Sequence, residues 1–247
     1  MPTLHLLGTG AALTDPHRHT SMLAFTGETG TFVVDCGGDV IQRLLAAGLP
    51  LDRLTGLFIT HEHPDHVSGF PLFIEKIWLA GRKAPLPVYG IAPALEQARR
   101  CLTVFDLDGW DIPELRWTEI PYAEGALVFE DDAFRVTAAP GKHSVPAVGL
   151  RVASKTSGRV VTYSGDTAPC ASITRLAAGA DLLVHEATGN DYGHTHAPEA
   201  ARIAAEAGVR RLVLTHLPPG LTDPDLTEAR TIFPATELAV ELGAYPF

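Results

Sequence analysis

The densest group of chemically capable side chains lies in residues 60–66, which read Thr-His-Glu-His-Pro-Asp-His. Three imidazoles and a carboxylate in so short a segment are too polar for a hydrophobic core, and on a surface such a group is expected only where it binds a ligand. Imidazole nitrogens and carboxylate oxygens are the donors that zinc takes in proteins. The segment therefore predicts a metal site with the ligands His61, His63, Asp65 and His66.

The element that positions this segment is the apolar run at residues 57–59, which predicts a buried strand ending in a loop. Loops at strand ends are where rigid scaffolds carry chemistry. His143, Asp166 and His216 each follow an apolar stretch at a turn signal in the same way. Because a zinc ion takes about four donors and a catalytic zinc leaves one position open, seven donors fit two metals better than one.

Taken in order, these motifs resemble the metallo-β-lactamase superfamily, and within it the ribonuclease Z-like phosphodiesterase branch. The histidine-rich segment is followed by a lone His143, by Ser-Gly-Asp-Thr around Asp166 and by Leu-Thr-His ending at His216. The resemblance covers nearly the whole chain. Supporting stretches are Leu-Gly-Thr-Gly at 7–10, Pro-x-Arg-x-x-Ser at 16–21, Val-Asp-Cys-Gly at 34–37 and Val-His-Glu-Ala-Thr at 184–188.

The resemblance implies an α/β fold, the αββα sandwich, in which two mixed sheets pack face to face with helices outside, as one domain over residues 1–247. It also implies two divalent ions as cofactors, whose proximity lowers the pKa of a shared water from 15.7 towards about 7. Zinc suits the nitrogen-rich donor set, while manganese and iron are alternatives. His61, His63 and His143 would hold one ion, Asp65, His66 and His216 the other, and Asp166 would bridge them.

A further histidine, His194, indicates which type of reaction the metal site would catalyse. His194 precedes a predicted helix, and 21 residues separate it from His216. In the resembled branch a histidine at this place faces the scissile phosphate, which makes His194 a candidate general acid or phosphate-binding residue. A positioned histidine contributes about 10²–10⁴-fold to such a reaction. The alternative for His194 is a solvent-exposed residue at the helix entry.

Two neighbouring residues have open roles. Glu186 could orient a histidine or be a plain strand-end carboxylate. His196 stands where the family usually has Thr, and it could cap the helix, touch the substrate or have no role. The candidate catalytic residues are Asp65, Glu186 and His194.

Composition indicates a soluble enzyme without a membrane segment. The chain has 247 residues, 46% of them apolar, enough to bury a substantial core without disulfides. Three cysteines, Cys36, Cys101 and Cys170, form an odd count without a Cys-x-x-Cys motif, which suits reducing cytoplasm better than secretion. The first residues lack the regions of a signal peptide, and no run approaches the roughly 20 apolar residues of a membrane span.

The charge balance bears on the substrate. The net charge is −10 and no run of Lys or Arg forms the basic patch expected of an RNA-binding protein, so we expect a small phosphodiester partner rather than RNA.

Processing enzymes of the branch carry a long arm between the third metal histidine and the bridging aspartate, yet only 22 residues separate His143 from Asp166. After His216, Leu-Pro-Pro-Gly replaces their Ser-Pro-Arg-like turn. The chain thus resembles the short-armed hydrolases, including cyclic phosphodiesterases.

The predicted function is a dinuclear-metal-dependent phosphodiesterase that uses a metal-bridging hydroxide, with His194 as general acid, on a small or cyclic phosphodiester or an RNA 3′ end. Three alternatives stay open: a ribonuclease Z-type tRNA 3′ endonuclease, a metal-dependent lactonase or thioesterase, and a metal-binding accessory protein without hydrolysis. Redox di-iron chemistry is disfavoured because residue 63 is His where those relatives usually place Glu.

Hydrophobic periodicity predicts alternating strands and helices. The helix at 70–80 is apolar nearly all round, so core packing, a substrate mouth or a homodimer contact could cover its remaining faces. Segments 115–120, 127–130, 134–139 and 148–153 predict antiparallel strands. The other predicted strands are 4–7, 31–34, 57–59, 87–89, 159–163, 182–186, 211–215 and one near 237–242, and the other helices are 39–47, 93–105, 169–178 and 198–207.

Overall fold

Strands and helices alternate along the chain in the computed structural model, which describes residues 1–189, 191, 193–221 and 223–247, with residues 223 and 224 described by their backbone. The first half contains β1 (Thr3–Gly8), β2 (Met22–Thr26), β3 (Thr31–Val34), α1 (Val40–Ala46), a 3₁₀ turn (Leu51–Arg53), β4 (Leu54–Ile59), α2 (Pro64–Val67), α3 (Phe70–Leu79), β5 (Leu86–Gly90), α4 (Ala92–Leu102) and β6 (Leu115–Glu119). The second half contains β7 (Ala126–Glu130), β8 (Phe134–Pro140), β9 (Val148–Ser154), β10 (Val160–Tyr163), α5 (Ala171–Ala177), β11 (Leu182–Glu186), α6 (Ala197–Ala207), β12 (Leu212–Thr215), α7 (Asp223–Ile232), β13 (Thr236–Leu238) and β14 (Ala244–Pro246).

Within the described residues these strands form two seven-stranded mixed sheets. The first has the order β14-β1-β2-β3-β4-β5-β6 and is parallel from β3 to β6. The second has the order β13-β12-β11-β10-β9-β8-β7 and is parallel from β10 to β13. Helices α1 and α4 pack on the first sheet, and α5 and α6 on the second. The predicted αββα sandwich is confirmed.

The main core lies between the two sheets. Phe25 and Phe32 stack within the first sheet, and Phe134 of the second sheet stacks on Phe247. Strand β4 is buried at all but one position, as expected of a parallel strand covered on both faces. A second cluster lies under α6, where alanines face Leu183 and Leu214 and let the helix approach the sheet closely.

Both parallel regions end at the same edge of the sandwich, and this sets the place of the chemistry. The segment 60–66 follows β4, and Asp166 and His216 follow β10 and β12. Strand β8, in the antiparallel part of the second sheet, delivers His143 to that edge. Carboxyl ends of strands at a sheet edge are where open α/β sheets bind ligands.

Several element predictions are wrong in detail. Segment 115–120 does not join the antiparallel set: β6 pairs in parallel with β5 in the first sheet, since residue pattern does not encode the partner strand. The single strand predicted near 237–242 is two strands in different sheets, because Leu242 takes a left-handed φ of 60° and turns the chain. Strand β2 and helices α2 and α7 were not predicted; β2 is buried on both faces and so lacks alternation.

Two further observations concern the chain as a whole. The thiols of Cys36, Cys101 and Cys170 are free. Among the described residues, the helices are too short or too polar to cross a membrane.

Candidate metal centre

The turn between β4 and α2 places the first four candidate ligands. His63 is the N-cap of α2 and Pro64 takes its first position, where a missing N–H costs nothing. The turn packs directly on residue 37: a Cβ on Gly37 would lie 1.6 Å from the carbonyl oxygen of Asp65. Glycine is therefore required there, and it allows the chain at residues 36–37 to support the metal loop from below. The backbone N–H of Cys36 donates to the His66 carbonyl at 2.8 Å in the same contact.

Three imidazoles converge on one point. His63 Nδ1 lies 3.1 Å from His61 Nε2 and 3.1 Å from His143 Nε2. Tetrahedral zinc with Zn–N bonds of 2.0–2.1 Å would separate two nitrogen donors by about 3.3 Å. The spacing of these nitrogens is therefore what a shared cation requires.

A second group of donors adjoins the first. His216 Nε2 lies 3.3 Å from Asp65 Oδ2 and 3.4 Å from Asp166 Oδ2. His66 Nε2 lies 3.4 Å from each of the same two carboxylate oxygens. Asp166 Oδ2 is also 3.8 Å from His61 Nε2 in the first group. Asp166 thus lies between the two groups, where a bridging carboxylate would.

Hydrogen bonds on the outer side of the cluster orient the imidazoles. His143 Nδ1 donates to the Gly193 carbonyl at 3.0 Å, and His66 Nδ1 donates to Asp35 Oδ2 at 2.9 Å. Because a carbonyl can only accept, His143 carries its proton on Nδ1 and presents the Nε2 lone pair to the centre. Such outer partners orient metal-binding histidines and raise their basicity.

Threonine hydroxyls hold two of the remaining three imidazoles, those of His61 and His216. Thr60 Oγ1 donates to Asp35 and accepts from His61 Nδ1 at 3.0 Å. Thr188 Oγ1 donates to the His216 carbonyl at 2.8 Å and accepts from its Nδ1 at 2.5 Å. His216 has a left-handed φ of 53°, a conformation that costs energy in a residue with a Cβ, and the two bonds to Thr188 help to hold it.

Burial and the charges of neighbouring side chains together shift the pKa values of the site residues. Burial lowers the pKa of His61 well below its usual value, and the charge of His66 adds to this effect. Burial acts to raise the pKa of Asp166, yet the facing imidazoles of His216 and His66 hold it well below the usual range. Burial opposes the charged form of His66 too, but the carboxylates of Asp166 and Asp35 outweigh it and raise the pKa well above its usual value. A divalent cation would compete with that His66 proton.

The donor set fits divalent metal ions. His66 Nε2 and Asp166 Oδ1 are buried and, among the described residues, have no hydrogen-bond partner, although a buried polar atom normally has one. Neutral imidazole nitrogens beside ionised carboxylates are good ligands for zinc and similar metals. Within the described residues, His61, His63 and His143 form one possible ligand group, and Asp65, His66, Asp166 and His216 form another.

His194 lies at the border of both groups. Its ring centroid is 4.9 Å from that of His143 and 5.6 Å from that of His216. Its Nδ1 lies 2.9 Å from Glu186 Oε1. Burial acts to lower the pKa of His194, but the hydrogen bond and charge of Glu186 outweigh burial and raise the pKa above its usual value. His194 is therefore partly exposed, oriented and readily protonated.

Glu186 is buried and its two oxygens have several donors. Oε1 also accepts the backbone N–H of Thr167 at 2.7 Å, and Oε2 accepts that of Thr188 at 3.2 Å. Of the two roles left open from sequence, these contacts favour orientation of a histidine. The carboxylate touches His194 and backbone groups rather than the open cleft.

The predicted metal ligands and catalytic residues therefore gather at one edge. His196, whose role was open, begins α6 as its N-cap, has no side-chain cap bond and instead lies 3.2 Å from Asp225. Asp35, which holds both His66 and Thr60, was not predicted as a site residue. Asp35 takes a left-handed φ of 64°, which aspartate tolerates better than most residues. Its signal was the Val-Asp-Cys-Gly stretch directly after β3.

A cleft of about 500 Å³ opens beside His194 and His216. Residues 11–13 form one of its walls, and Pro218 and Pro219, which follow the last donor histidine, form another. His194 and His216 thus form the reactive part of the cleft, and the other lining residues are mainly apolar.

Comparison with known proteins agrees with this geometry. A sequence model described as "Beta-lactamase superfamily domain" matches residues 31–217. Ribonuclease Z of Methanothermobacter thermautotrophicus is 33% identical over 309 aligned positions, which cover 99% of this chain and 98% of that protein. The alignment is longer than the 247 residues of this chain, so that relative has residues which this chain lacks.

Solved structures show the same likeness. Human tRNase Z, short form, is 26% identical with a TM-score of 0.80, covering 99% of this chain and 98% of that one. The metallo-β-lactamase fold protein YhfI from Bacillus subtilis has a TM-score of 0.84 over 100% of both chains at 24% identity, a likeness of fold.

Proposed function

Because this chain belongs to the metallo-β-lactamase superfamily, in its ribonuclease Z-like branch, we propose that it is a metal-dependent hydrolase of phosphodiester bonds. The observation that carries the proposal is the place of His194, at the border of both donor groups with Nδ1 held by Glu186. An oriented, protonated imidazole at this position can give a proton to the poor leaving group of a phosphodiester.

The seven converging residues would hold two divalent ions, with zinc as the metal that best suits five imidazoles. His61, His63 and His143 would hold one ion, Asp65, His66 and His216 would hold the other, and Asp166 would be a ligand to both. When bound, two such ions polarise the phosphoryl group and activate water for attack.

His194 would supply the proton that the leaving group needs. Its Nδ1 proton points at Glu186, so Nε2 carries the second proton when the ring is charged. As water adds its oxygen to phosphorus, the bond from phosphorus to the ester oxygen breaks, and the Nε2 proton passes to that oxygen. The products are an alcohol and a phosphate monoester, and the neutral imidazole recovers its proton from solvent.

Glu186 acts in this proposal as a positioning residue. It fixes the ring of His194 and keeps the pKa of that ring high, and it does not touch the substrate. Asp65, a candidate catalytic residue from the sequence, would act through the metal ions as one of their ligands.

The substrate has two candidates, favoured by different observations. The relatives that share most of this chain are named ribonuclease Z, which favours RNA. The net charge of −10 favours a small phosphodiester, because a strand of RNA is usually bound by a basic surface. The three free thiols suit the cytoplasm, which is the compartment we propose.

The proposal is tested with His194→Ala, Glu186→Gln and, as a matched control, His196→Ala in the same loop. We expect His194→Ala to lower kcat on uridylyl-uridine, whose alcohol leaving group needs a proton, by about 10²–10⁴-fold while bound metal, measured by mass spectrometry, is unchanged. Glu186→Gln should lower the pH at which activity falls on the alkaline side. Equal rates for His194→Ala and wild type would remove the role given to His194.

The substrate class is decided by one panel of compounds with the metal-loaded protein. It contains linear and 2′,3′-cyclic phosphodiesters, a tRNA with a 3′ extension, and acyl lactones. Hydrolysis of lactones alone would overturn the phosphodiesterase proposal. Turnover on none of them, with metal bound, would indicate an accessory protein without hydrolysis.

A further inference from the structure

The cleft beside His194 has an exposed apolar wall. Leu13 is 74% exposed there, although its side chain is as large as those in the core. Ala12 is exposed next to it, and Pro219 is exposed on the facing wall. Apolar side chains that lean over a reactive centre are normally covered when a ligand binds.

The cleft is held in shape by backbone hydrogen bonds. The N–H of Ala11 donates to the Leu217 carbonyl at 3.1 Å, and the N–H of Leu217 donates to the Thr9 carbonyl at 2.9 Å. These two bonds join the loop that carries Leu13 to the segment that carries Pro218 and Pro219. The width of the cleft is thus set before a ligand arrives, and preformed walls lower the cost of binding.

His194 is the charged donor that the cleft offers to an anion. Among the described lining residues there is no Lys or Arg, and Asp191 contributes a carboxylate. In the neighbouring loop Arg18 is already paired with Asp15, and His19 Nδ1 lies 2.9 Å from Glu241. A second phosphate in this cleft would compete with the scissile phosphate for His194 and would meet Asp191.

We propose that this cleft binds an uncharged organic group of the substrate, such as a nucleoside or an aryl alcohol, directly attached to the scissile phosphate. Leu13 on one side and Pro218 and Pro219 on the other give flat apolar contacts for such a group. The substrate would carry its single negative charge at the metal centre and no phosphate on the group in the cleft. This inference rests on the proposed phosphodiesterase function.

The first experiment compares two dinucleotides with the metal-loaded protein. Uridylyl-uridine has a free nucleoside on each side of its phosphodiester, and its relative with phosphates at both ends has none. Whichever of the two nucleosides enters the cleft, it is uncharged in the first compound and carries a phosphate in the second. We expect KM to be about tenfold higher for the compound with terminal phosphates, because like charges and missing counter-charges disfavour its binding.

A matched pair of variants locates the effect. Leu13→Lys adds a cation to the wall of the cleft, and Leu79→Lys adds the same charge at a leucine of similar exposure, 67%, on the outer helix α3. We expect Leu13→Lys to remove most of the difference in KM between the two dinucleotides. Leu79→Lys should leave that difference as in wild type.

A measurement without turnover accompanies them. In zinc-loaded protein with ¹³C-labelled leucine methyl groups, a phosphinate analogue of the methyl ester of uridine 5′-phosphate, in which carbon replaces both bridging oxygens and prevents hydrolysis, should shift the Leu13 resonance and leave that of Leu79 in place. The same analogue with a 3′-phosphate should shift Leu13 less.

The outcomes separate the two proposals. Turnover with equal KM for both dinucleotides, or an unmoved Leu13 resonance, would overturn the inference about the cleft and leave the phosphodiesterase proposal intact. Turnover on no phosphodiester would overturn both.

Discussion

Glu241 accepts hydrogen bonds from the backbone nitrogen and from Oγ1 of Thr9, at 2.8 and 3.0 Å, across 232 residues of sequence. The same carboxylate bonds to Arg43 Nη2 at 2.6 Å and lies 2.9 Å from His19 Nδ1. It therefore ties the segment after β13 to both ends of the loop that carries Leu13. A single side chain far from the metal centre thus holds one wall of the cleft.

Replacement of Glu241 by Ala should lower the free energy of unfolding by about 2–3 kcal/mol, because hydrogen bonds to a charged group are lost and Arg43 loses its partner. Urea unfolding measures this difference. The matched control is Glu237→Ala, whose exposed ion pair with Arg211 should contribute less than about 1 kcal/mol. Equal losses in the two variants would show that the hydrogen bonds of Glu241 contribute no more to the free energy of unfolding than an exposed ion pair does.

Gly37→Ala should destabilise the protein by about 3 kcal/mol and reduce bound metal, since the new Cβ would collide with the backbone of Asp65. Urea unfolding and metal analysis by mass spectrometry check this. Gly38→Ala is the control at the next position, where the nearest atoms belong to the flexible Met22 side chain, 3.2 Å away, and to Thr20. Normal metal content in Gly37→Ala would contradict the close packing of this turn on the metal loop.

Removal of metal should lower the melting temperature. Each ion that binds the folded state at about 100 times its Kd stabilises it by about 2.7 kcal/mol, which corresponds to roughly 5–10 °C per ion for a chain of this size. Calorimetry before and after chelation measures the shift, and mass spectrometry should find two ions per chain. Asp166→Asn should bind less metal and show a smaller shift. A melting temperature that chelation leaves unchanged would count against a metal centre in these seven residues.

The stability contributed by Asp39 should depend on pH. Burial acts to raise the pKa of Asp39, but hydrogen bonds from Lys76 and from the Gln42 backbone outweigh it, so the folded-state pKa lies below the usual 3.8. The ionised form is therefore favoured in the folded state, and its contribution is present above pH 3.8 and is lost as pH falls through the lower folded-state value.

Asp39→Asn isolates this effect, because asparagine still caps α1 but loses the charge. With chelator present in both samples, wild type should exceed Asp39→Asn by less than about 1 kcal/mol at pH 7, given the partial exposure of the ion pair. Urea unfolding at pH 7, 5, 3 and 2 should show that difference shrinking in acid. A difference that stays constant to pH 2 would show that Asp39 does not titrate in this way.

The sequence by itself determined the chemistry of the site and the kind of fold. Four donors in residues 60–66 are local, so their types and spacing are visible without a structure, and the order of His143, Asp166 and His216 at strand ends predicted their convergence. The αββα sandwich was implied by the family resemblance that the same ordered motifs carry. Buried strands and amphipathic helices repeat with periods that neighbouring residues display directly.

The tertiary structure alone decided contacts between residues far apart in the chain. Which sheet β6 joins, how Asp35 orients His66, and why Glu241 meets Thr9 depend on partners that residue pattern does not specify. The apolar cleft is of the same kind, because its walls come from residues 11–13 and 218–219. Hydrogen bonds and cavities of this kind form only when the two sheets pack. Neither half of such a contact has a signal of its own in the sequence, so the contact cannot be predicted from it.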